Sequence, residues 1–154
     1  MTTIAYKAGV LAADTGVFDR DVYCGRARKI GRLPTGGLFG VAGTLQSLAR
    51  FATWVSQGCE GGKPELDADS EALIVRKDDT VHWYGATQDV EIEGPYHAIG
   101  SGFRVAMGAM AAGVSALGAV EICAQLDVYT RAPLEFLVLN ETEPVHQYGR
   151  TSWT

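Results

Sequence analysis

The order of its predicted elements places this chain in the α+β class, with two sheets lying between layers of helix. Strand-like segments come first, followed by one helix, more strands, two helices rich in small residues, and a last pair of strands. Because a sheet and a helix each bury an apolar face, this order is satisfied when sheet packs on sheet and helices cover the outer faces. The chain has 154 residues, 47% of them hydrophobic, and no internal repeat. One domain spanning residues 1–154 is therefore predicted.

The amino-terminal stretch predicts a tight hairpin that carries two chemically interesting residues. Thr3 to Lys7 and Val10 to Asp14 are strand-like, with a bend at Ala8-Gly9. Thr2 would lie at the head of the first strand. Asp14 closes the second strand, so its carboxylate is expected near the amino terminus.

Thr2 is a candidate nucleophile. If Met1 is removed, Thr2 carries both a hydroxyl group and a free α-amine, whose ordinary pKa of about 8 lets it accept the hydroxyl proton near neutral pH. The alternative is that Met-Thr-Thr is simply how this chain begins.

A basic run from Arg26 to Arg32 predicts a strand with one distinctive lysine. Alternation places Lys29 on the face opposite to Arg26 and Arg28. Lys29 is therefore a candidate inward-facing cation. The alternative is an ordinary solvated edge strand.

The middle of the chain predicts a strand, a helix and three further strands. Gly36 to Gly43 reads as a strand entering a glycine-rich turn, and Thr44 is suited to cap a helix that ends near Gly58. The segment from Gly58 to Ser70 is too short and too rich in Gly and Pro for a second helix. The strands expected beyond it are Glu71 to Lys77, Thr80 to Tyr84 and Tyr96 to Ile99.

The last third predicts two helices and two strands. The first helix spans Phe103 to Ala112 and breaks at Gly113, and Ser115 caps the second, whose expected shared face is Leu117, Val120, Ala124 and Asp127. The closing strands are Pro133 to Asn140 and Val145 to Arg150.

Charge and cysteine usage exclude several classes of function. A net charge of -5 disfavours nonspecific binding to nucleic acid or to an acidic membrane. No segment has the length of an apolar membrane span or the pattern of a signal peptide, so we expect a cytoplasmic protein. Cys24, Cys59 and Cys123 form no C-x-x-C pair, which favours reduced thiols. Neither a metal nor a cofactor is expected.

Several short motifs together resemble the β-type subunits of the proteasome family, and within it the bacterial HslV peptidase. No single motif is specific, but their order and spacing along nearly the whole chain carry the resemblance. They are Thr2-Thr3-Ile4, Ala12-Ala13-Asp14, Arg28-Lys29-Ile30, Gly40-Val41-Ala42-Gly43, Ala98-Ile99-Gly100-Ser101-Gly102, Ala109-Met110-Ala111-Ala112-Gly113 and Asp127-Val128-Tyr129-Thr130.

The resemblance implies a fold and a set of site residues. The fold is a four-layer αββα sandwich of two antiparallel sheets, the N-terminal-nucleophile (Ntn) hydrolase fold, here with one helical layer reduced. Thr2 maps to the nucleophile, Asp14 and Lys29 to its charged partners, and Gly40 to the donor of the oxyanion hole. Ser101 maps to the serine that binds the amine, Asp127 and Thr130 to a supporting pair, and Ala27, Leu38 and Ala42 to the lining of an apolar specificity pocket.

The implied function is an N-terminal threonine endopeptidase in a homo-oligomeric ring, cleaving unfolded polypeptide delivered by an ATPase unfoldase. Two alternatives stay open. One is a catalytically silent subunit of the same fold, consistent with retention of Met1, which would block the amine. The other is a lone amidase acting on small amides.

Overall fold

The computed structural model describes residues 2–149. In chain order its strands are β1 (Thr3–Lys7), β2 (Val10–Asp14), β3 (Gly16–Asp19), β4 (Val22–Arg26), β5 (Ile30–Arg32), β6 (Leu38–Ala42), β7 (Glu71–Val75), β8 (Val81–Tyr84), β9 (Asp89–Ile92), β10 (Tyr96–Gly100), β11 (Leu134–Val138) and β12 (His146–Tyr148). The helices in this part of the chain are α1 (Leu45–Ser56), α2 (Phe103–Ala111) and α3 (Ala116–Leu126).

The strands form two larger antiparallel sheets and one hairpin. The first sheet has the order β10-β1-β2-β11-β12, the second has the order β5-β6-β7-β8-β9, and β3 pairs with β4 alone. The fold is thus α+β with antiparallel sheets, as predicted. The amino-terminal hairpin is also confirmed, because Ile4 pairs with Ala13 and Lys7 with Val10.

Three apolar clusters show how the sheets and helices pack. The cluster between the two sheets joins side chains such as Ile4, Leu38 and Leu73. Helices α2 and α3 cover the first sheet through side chains such as Ala5 and Met110. Helix α1 covers the second sheet through Phe51 and its neighbours. No helix follows α1 before β7, so within residues 2–149 α1 is the helix that covers the second sheet, as expected from the Gly58 to Ser70 segment.

The predicted helix starts are confirmed by their caps. Thr44 accepts a hydrogen bond from the backbone N–H of Ser47, and Ser115 accepts one from Gly118. The predicted shared face of α3 is wrong except at Val120. The buried residues of this helix are Ala116, Ala119, Val120 and Cys123, so the buried face is rotated about the helix axis from the predicted one.

Two strand regions were not predicted. The hairpin β3–β4 and the strand β9 have mostly exposed or half-buried residues, and each of these strands has only four or five residues, so the sequence signal for a strand is weak there. Arg150, the expected end of the last strand, lies outside the described residues. Within residues 2–149, no helix is long and apolar enough to cross a membrane.

Candidate active site

Thr2 lies at the head of β1 in a buried polar cluster. Its residue surface is 1% exposed. The Thr2 hydroxyl donates a hydrogen bond to the Asp14 carboxylate and accepts one from the Lys29 ammonium. A hydroxyl group is therefore held between a cation and an anion, which is the arrangement that favours charge development on its oxygen.

Asp14 is held by backbone donors from separate parts of the chain. Its Oδ1 accepts from the N–H of Thr3 at 3.1 Å, and its Oδ2 accepts from the N–H of Gly16 at 3.1 Å and of Arg131 at 3.0 Å. Hydrogen bonds to the ionised form favour that form. The carboxylate is fully buried, and these donors replace the water that it has lost.

Lys29 enters the same cluster from the segment just before β5. Its Nζ donates to Asp14 Oδ1 at 3.0 Å, to the carbonyl oxygen of Gly16 at 2.6 Å and to the Thr2 hydroxyl. Three N–H groups thus have three acceptors, the full capacity of an ammonium. Burial lowers the pKa of Lys29, and the neighbouring Asp14 carboxylate opposes that shift.

Ser101, Asp127 and Thr130 lie together on the other side of Thr2. Ser101 Oγ is 2.7 Å from Asp127 Oδ2 and 3.2 Å from the carbonyl oxygen of Thr2. Thr130 Oγ1 donates to Asp127 Oδ2 at 2.5 Å and lies 2.6 Å from Thr3 Oγ1. This network joins the loop after α3 to the head of β1, so the structure brings all three residues to the site.

A cavity of about 1010 Å³ opens at Thr2 and Lys29. Its volume is at the upper end of the range for small-molecule sites. Its apolar lining includes Val17, Phe18, Val41, Leu45, Leu48, Trp83 and Phe103, and its polar lining includes Gln46, Asp69, Glu71, Gln88 and Ser101.

The structure does not bring Gly40 to this cavity, which corrects the sequence expectation. Gly40 lies within β6, and a Cβ built on it would be 3.1 Å from Ile4 in the layer between the sheets. The N–H of Val41 pairs with the carbonyl of Lys29. Because successive N–H groups of a strand point to opposite sides, the N–H of Gly40 points toward β7 and is occupied by that ladder.

Gly43 occupies the place at the cavity that was expected for Gly40. It lines the cavity directly after the end of β6. Within residues 2–149, no acceptor pairs with the Gly43 N–H. The signal was present in the sequence, because Gly43 is the last residue before the helix cap Thr44.

Ala27, Leu38 and Ala42 do not line the cavity, so the expected pocket is also corrected. Leu38 and Ala42 are buried in the cluster between the sheets, and Ala27 is half-buried outside the cavity. The reason is strand alternation, which turns the side chain of Val41 to the face opposite to that of Ala42. Val41, Leu45, Leu48 and Phe18 supply the apolar wall instead.

The histidines lie away from the site, and metal-binding geometry is absent from the described part of the chain. His82, His97 and His146 do not line the cavity. Among residues 2–149, no group of three His, Cys, Asp or Glu side chains is placed to hold a metal ion. Met1 lies outside the described residues, so the environment of the Thr2 amine is not described.

Comparison with known proteins identifies similar structures but no family. No protein-family model and no curated protein matches the sequence. The structure of Thiobacillus denitrificans BPH in complex with epoxomicin is similar, with a TM-score of 0.66 and 18% identity over 93% of this chain and 99% of that chain. A second structure of BPH gives a TM-score of 0.61 and 20% identity over 93% and 98% of the two chains. At this identity, the likeness shows that the fold is shared.

Proposed function

We propose that this chain is a threonine-type peptidase subunit with a proteasome-like Ntn-hydrolase fold, acting through Thr2 after removal of Met1. The observation that carries the proposal is the Thr2 hydroxyl, which is held between Lys29 and Asp14 at the edge of a cavity large enough for several residues of a polypeptide.

The α-amine of Thr2 supplies the base. It accepts the hydroxyl proton as Oγ bonds to the carbonyl carbon of the substrate, and it then passes that proton to the leaving nitrogen as the amide C–N bond breaks. Water hydrolyses the resulting ester and regenerates Thr2. All three N–H groups of the Lys29 ammonium have acceptors. Lys29 therefore acts as a fixed positive charge beside the negative charge that develops on the Thr2 hydroxyl oxygen, and not as the base.

Gly43 supplies the donor for the oxyanion of the tetrahedral intermediate. Its N–H lies at the cavity and is free of the sheet ladder. The N-terminus of α1 begins at the adjacent Thr44 and adds a positive partial charge there. Ser101 and Asp127 are positioned to orient the Thr2 amine, because both belong to the network that reaches the Thr2 carbonyl.

The structural neighbours support the proposal at the level of the fold. BPH has been solved with epoxomicin, a proteasome inhibitor, and its chain is matched along almost its whole length. We further propose assembly into a cytoplasmic homo-oligomeric ring with an ATPase unfoldase that delivers unfolded polypeptide. A closer kinship with HslV remains a prediction from the sequence motifs.

The test is the intact mass of the purified protein before and after incubation with epoxomicin. We expect a mass lacking Met1, followed by one covalent adduct that requires both the hydroxyl and the free amine of Thr2. Cleavage of a fluorogenic peptide with an apolar residue before the scissile bond is measured in parallel. Both signals are expected to disappear in Thr2→Ala.

Thr2→Ser is the matched control, because it keeps the hydroxyl and the amine and is expected to retain the adduct. A protein that keeps Met1 and forms no adduct, even when isolated from its native host, would exclude the peptidase and favour a silent subunit of the same fold.

A further inference from the structure

The charges that line the cavity are unevenly compensated. The charged side chains in the lining are Lys29, Asp69 and Glu71. Lys29 forms an ion pair with the buried Asp14 at 3.0 Å, so its charge is already balanced within the protein. The carboxylates of Asp69 and Glu71 are not paired with any cation in the described part of the chain. The carboxylates of the cavity lining therefore carry negative charge that the protein leaves unbalanced.

Glu71 is the carboxylate fixed beside the nucleophile. It begins β7, is half-buried and lies opposite Ala42. Its Oε2 accepts a hydrogen bond from the Gly100 N–H at 3.2 Å. Gly100 packs against Thr2 so closely that an added Cβ would lie 2.0 Å from the Thr2 carbonyl oxygen. Within residues 2–149, the other oxygen, Oε1, has no hydrogen-bond partner.

The surroundings of Glu71 suit a long side chain with a charged end. Trp83 and Phe103 contribute apolar lining, and Gln88 contributes an amide. A lysine or arginine stem packs on such aromatic surface while its charged group reaches a carboxylate. The attraction between unit charges is stronger at a half-buried site than in bulk water.

We propose that Glu71 is a specificity-determining residue that selects polypeptides with Lys or Arg next to the scissile bond. The inference rests on the proposed peptidase function. It adds a basic preference to the apolar lining formed by Val17, Phe18, Val41, Leu45 and Leu48.

The test uses internally quenched peptides with acetylated amino termini, identical except for Lys or norleucine at one position flanking the scissile bond. Mass spectrometry locates the cleaved bond. The readout is the ratio of kcat/KM for the Lys peptide to that for its norleucine partner. We expect a ratio of roughly two to five in the wild type, falling to about one in Glu71→Gln, whose amide oxygen still accepts from Gly100. Glu65→Gln is the matched control, since Glu65 is exposed outside the cavity.

A charge reversal sharpens the test. Glu71→Lys is expected to favour a Glu peptide over the Lys peptide, and 0.5 M salt is expected to reduce the wild-type ratio. A wild-type ratio near one, or a ratio that Glu71→Gln leaves unchanged, would overturn the role of Glu71. If the wild type cleaves these peptides and binds epoxomicin without any basic preference, only this inference fails. If it does neither, the proposed function fails, and the inference fails with it.

Discussion

The two ends of β1 both bury polar groups, but only one end faces a cavity. At the first end, Thr2 lies between Asp14 and Lys29. At the second end, the Tyr6 hydroxyl donates to Asp79, and Tyr6 pairs in register with the buried His97. Burial is the main cause that raises the pKa of Tyr6 and lowers that of His97. None of these three residues lines the cavity.

This comparison shows that a buried, perturbed group is not enough to mark an active site. The Tyr6 end joins the two sheets, because Asp79 belongs to the β7–β8 turn and Tyr6 to the first sheet. The Thr2 end combines a hydroxyl group, a compensated charge pair and a cavity. Perturbed groups become candidates for catalysis when they border such a space.

The largest effect is expected from Lys29→Met. Removing the ammonium leaves Asp14 buried without its cation and removes the charge beside the Thr2 oxygen. We expect kcat/KM to fall by at least about 10³-fold and the free energy of unfolding to fall by about 3 kcal/mol. Peptide cleavage and urea unfolding measure the two quantities.

The double variant Lys29→Met/Asp14→Asn separates these effects. It removes both charges, so part of the lost stability is expected to return while activity stays absent. Recovery of activity in the double variant would contradict the role given to Lys29.

Gly40→Ala and Gly43→Ala test the proposed assignment of the oxyanion donor to Gly43. At Gly40 the new methyl group overpacks Ile4 and Ile30, so we expect a loss of roughly 1–3 kcal/mol in stability with kcat/KM per folded molecule unchanged. At Gly43, with a φ of +128°, the added Cβ would lie 2.2 Å from Ser70 Oγ. The turn is expected to shift and kcat/KM to fall by about 10²-fold. If Gly40→Ala lowered kcat/KM and Gly43→Ala did not, Gly40 would be the donor instead of Gly43.

The smallest effect is expected from Tyr6→Phe. At pH 8 the lost hydrogen bond is expected to lower the free energy of unfolding by about 1 kcal/mol, with little change in kcat/KM because the sites are distant. The raised pKa of Tyr6 means that the folded protein keeps the phenol proton longer than the unfolded chain does. The stabilisation is therefore complete below pH 10 and is lost as the pH rises further. The urea midpoints of the wild type and of Tyr6→Phe should therefore converge as the pH rises from 8 to 11. A difference that stays constant over this range would contradict the stabilising role of the protonated Tyr6 phenol.

Local signals in the sequence were sufficient for the elements that place Thr2, Asp14 and Lys29. The bend at Ala8-Gly9 fixes the hairpin. Lys29 is buried as expected, although it lies between β4 and β5 and not within the continuous strand predicted from Arg26 to Arg32. Thr44 and Ser115 mark helix starts by their side-chain chemistry. Each of these signals acts over only a few residues, so one sequence is enough to reveal it.

The errors arose where position depends on a partner elsewhere in the chain. Leu38, Gly40 and Ala42 share the face of β6 that meets the other sheet; alternation shows that they share a face, but only the packing of the two sheets decides which face is turned away from the cavity. The N–H of Arg131 and the carboxylate of Glu71 reach the site from far along the chain, and no local pattern signals such contacts. The strand β9 alternates as Asp-Val-Glu-Ile, but it has only four residues, the shortest run in which alternation indicates a strand.

The hydrogen bond from the Arg131 N–H to Asp14 has a consequence for biosynthesis. The carboxylate beside Thr2 is completed by a donor that the ribosome adds more than a hundred residues later. A growing chain thus carries Thr2 first and the last support for Asp14 much later. The polar cluster around Thr2 is therefore completed late in synthesis, because its donors lie far apart in the sequence.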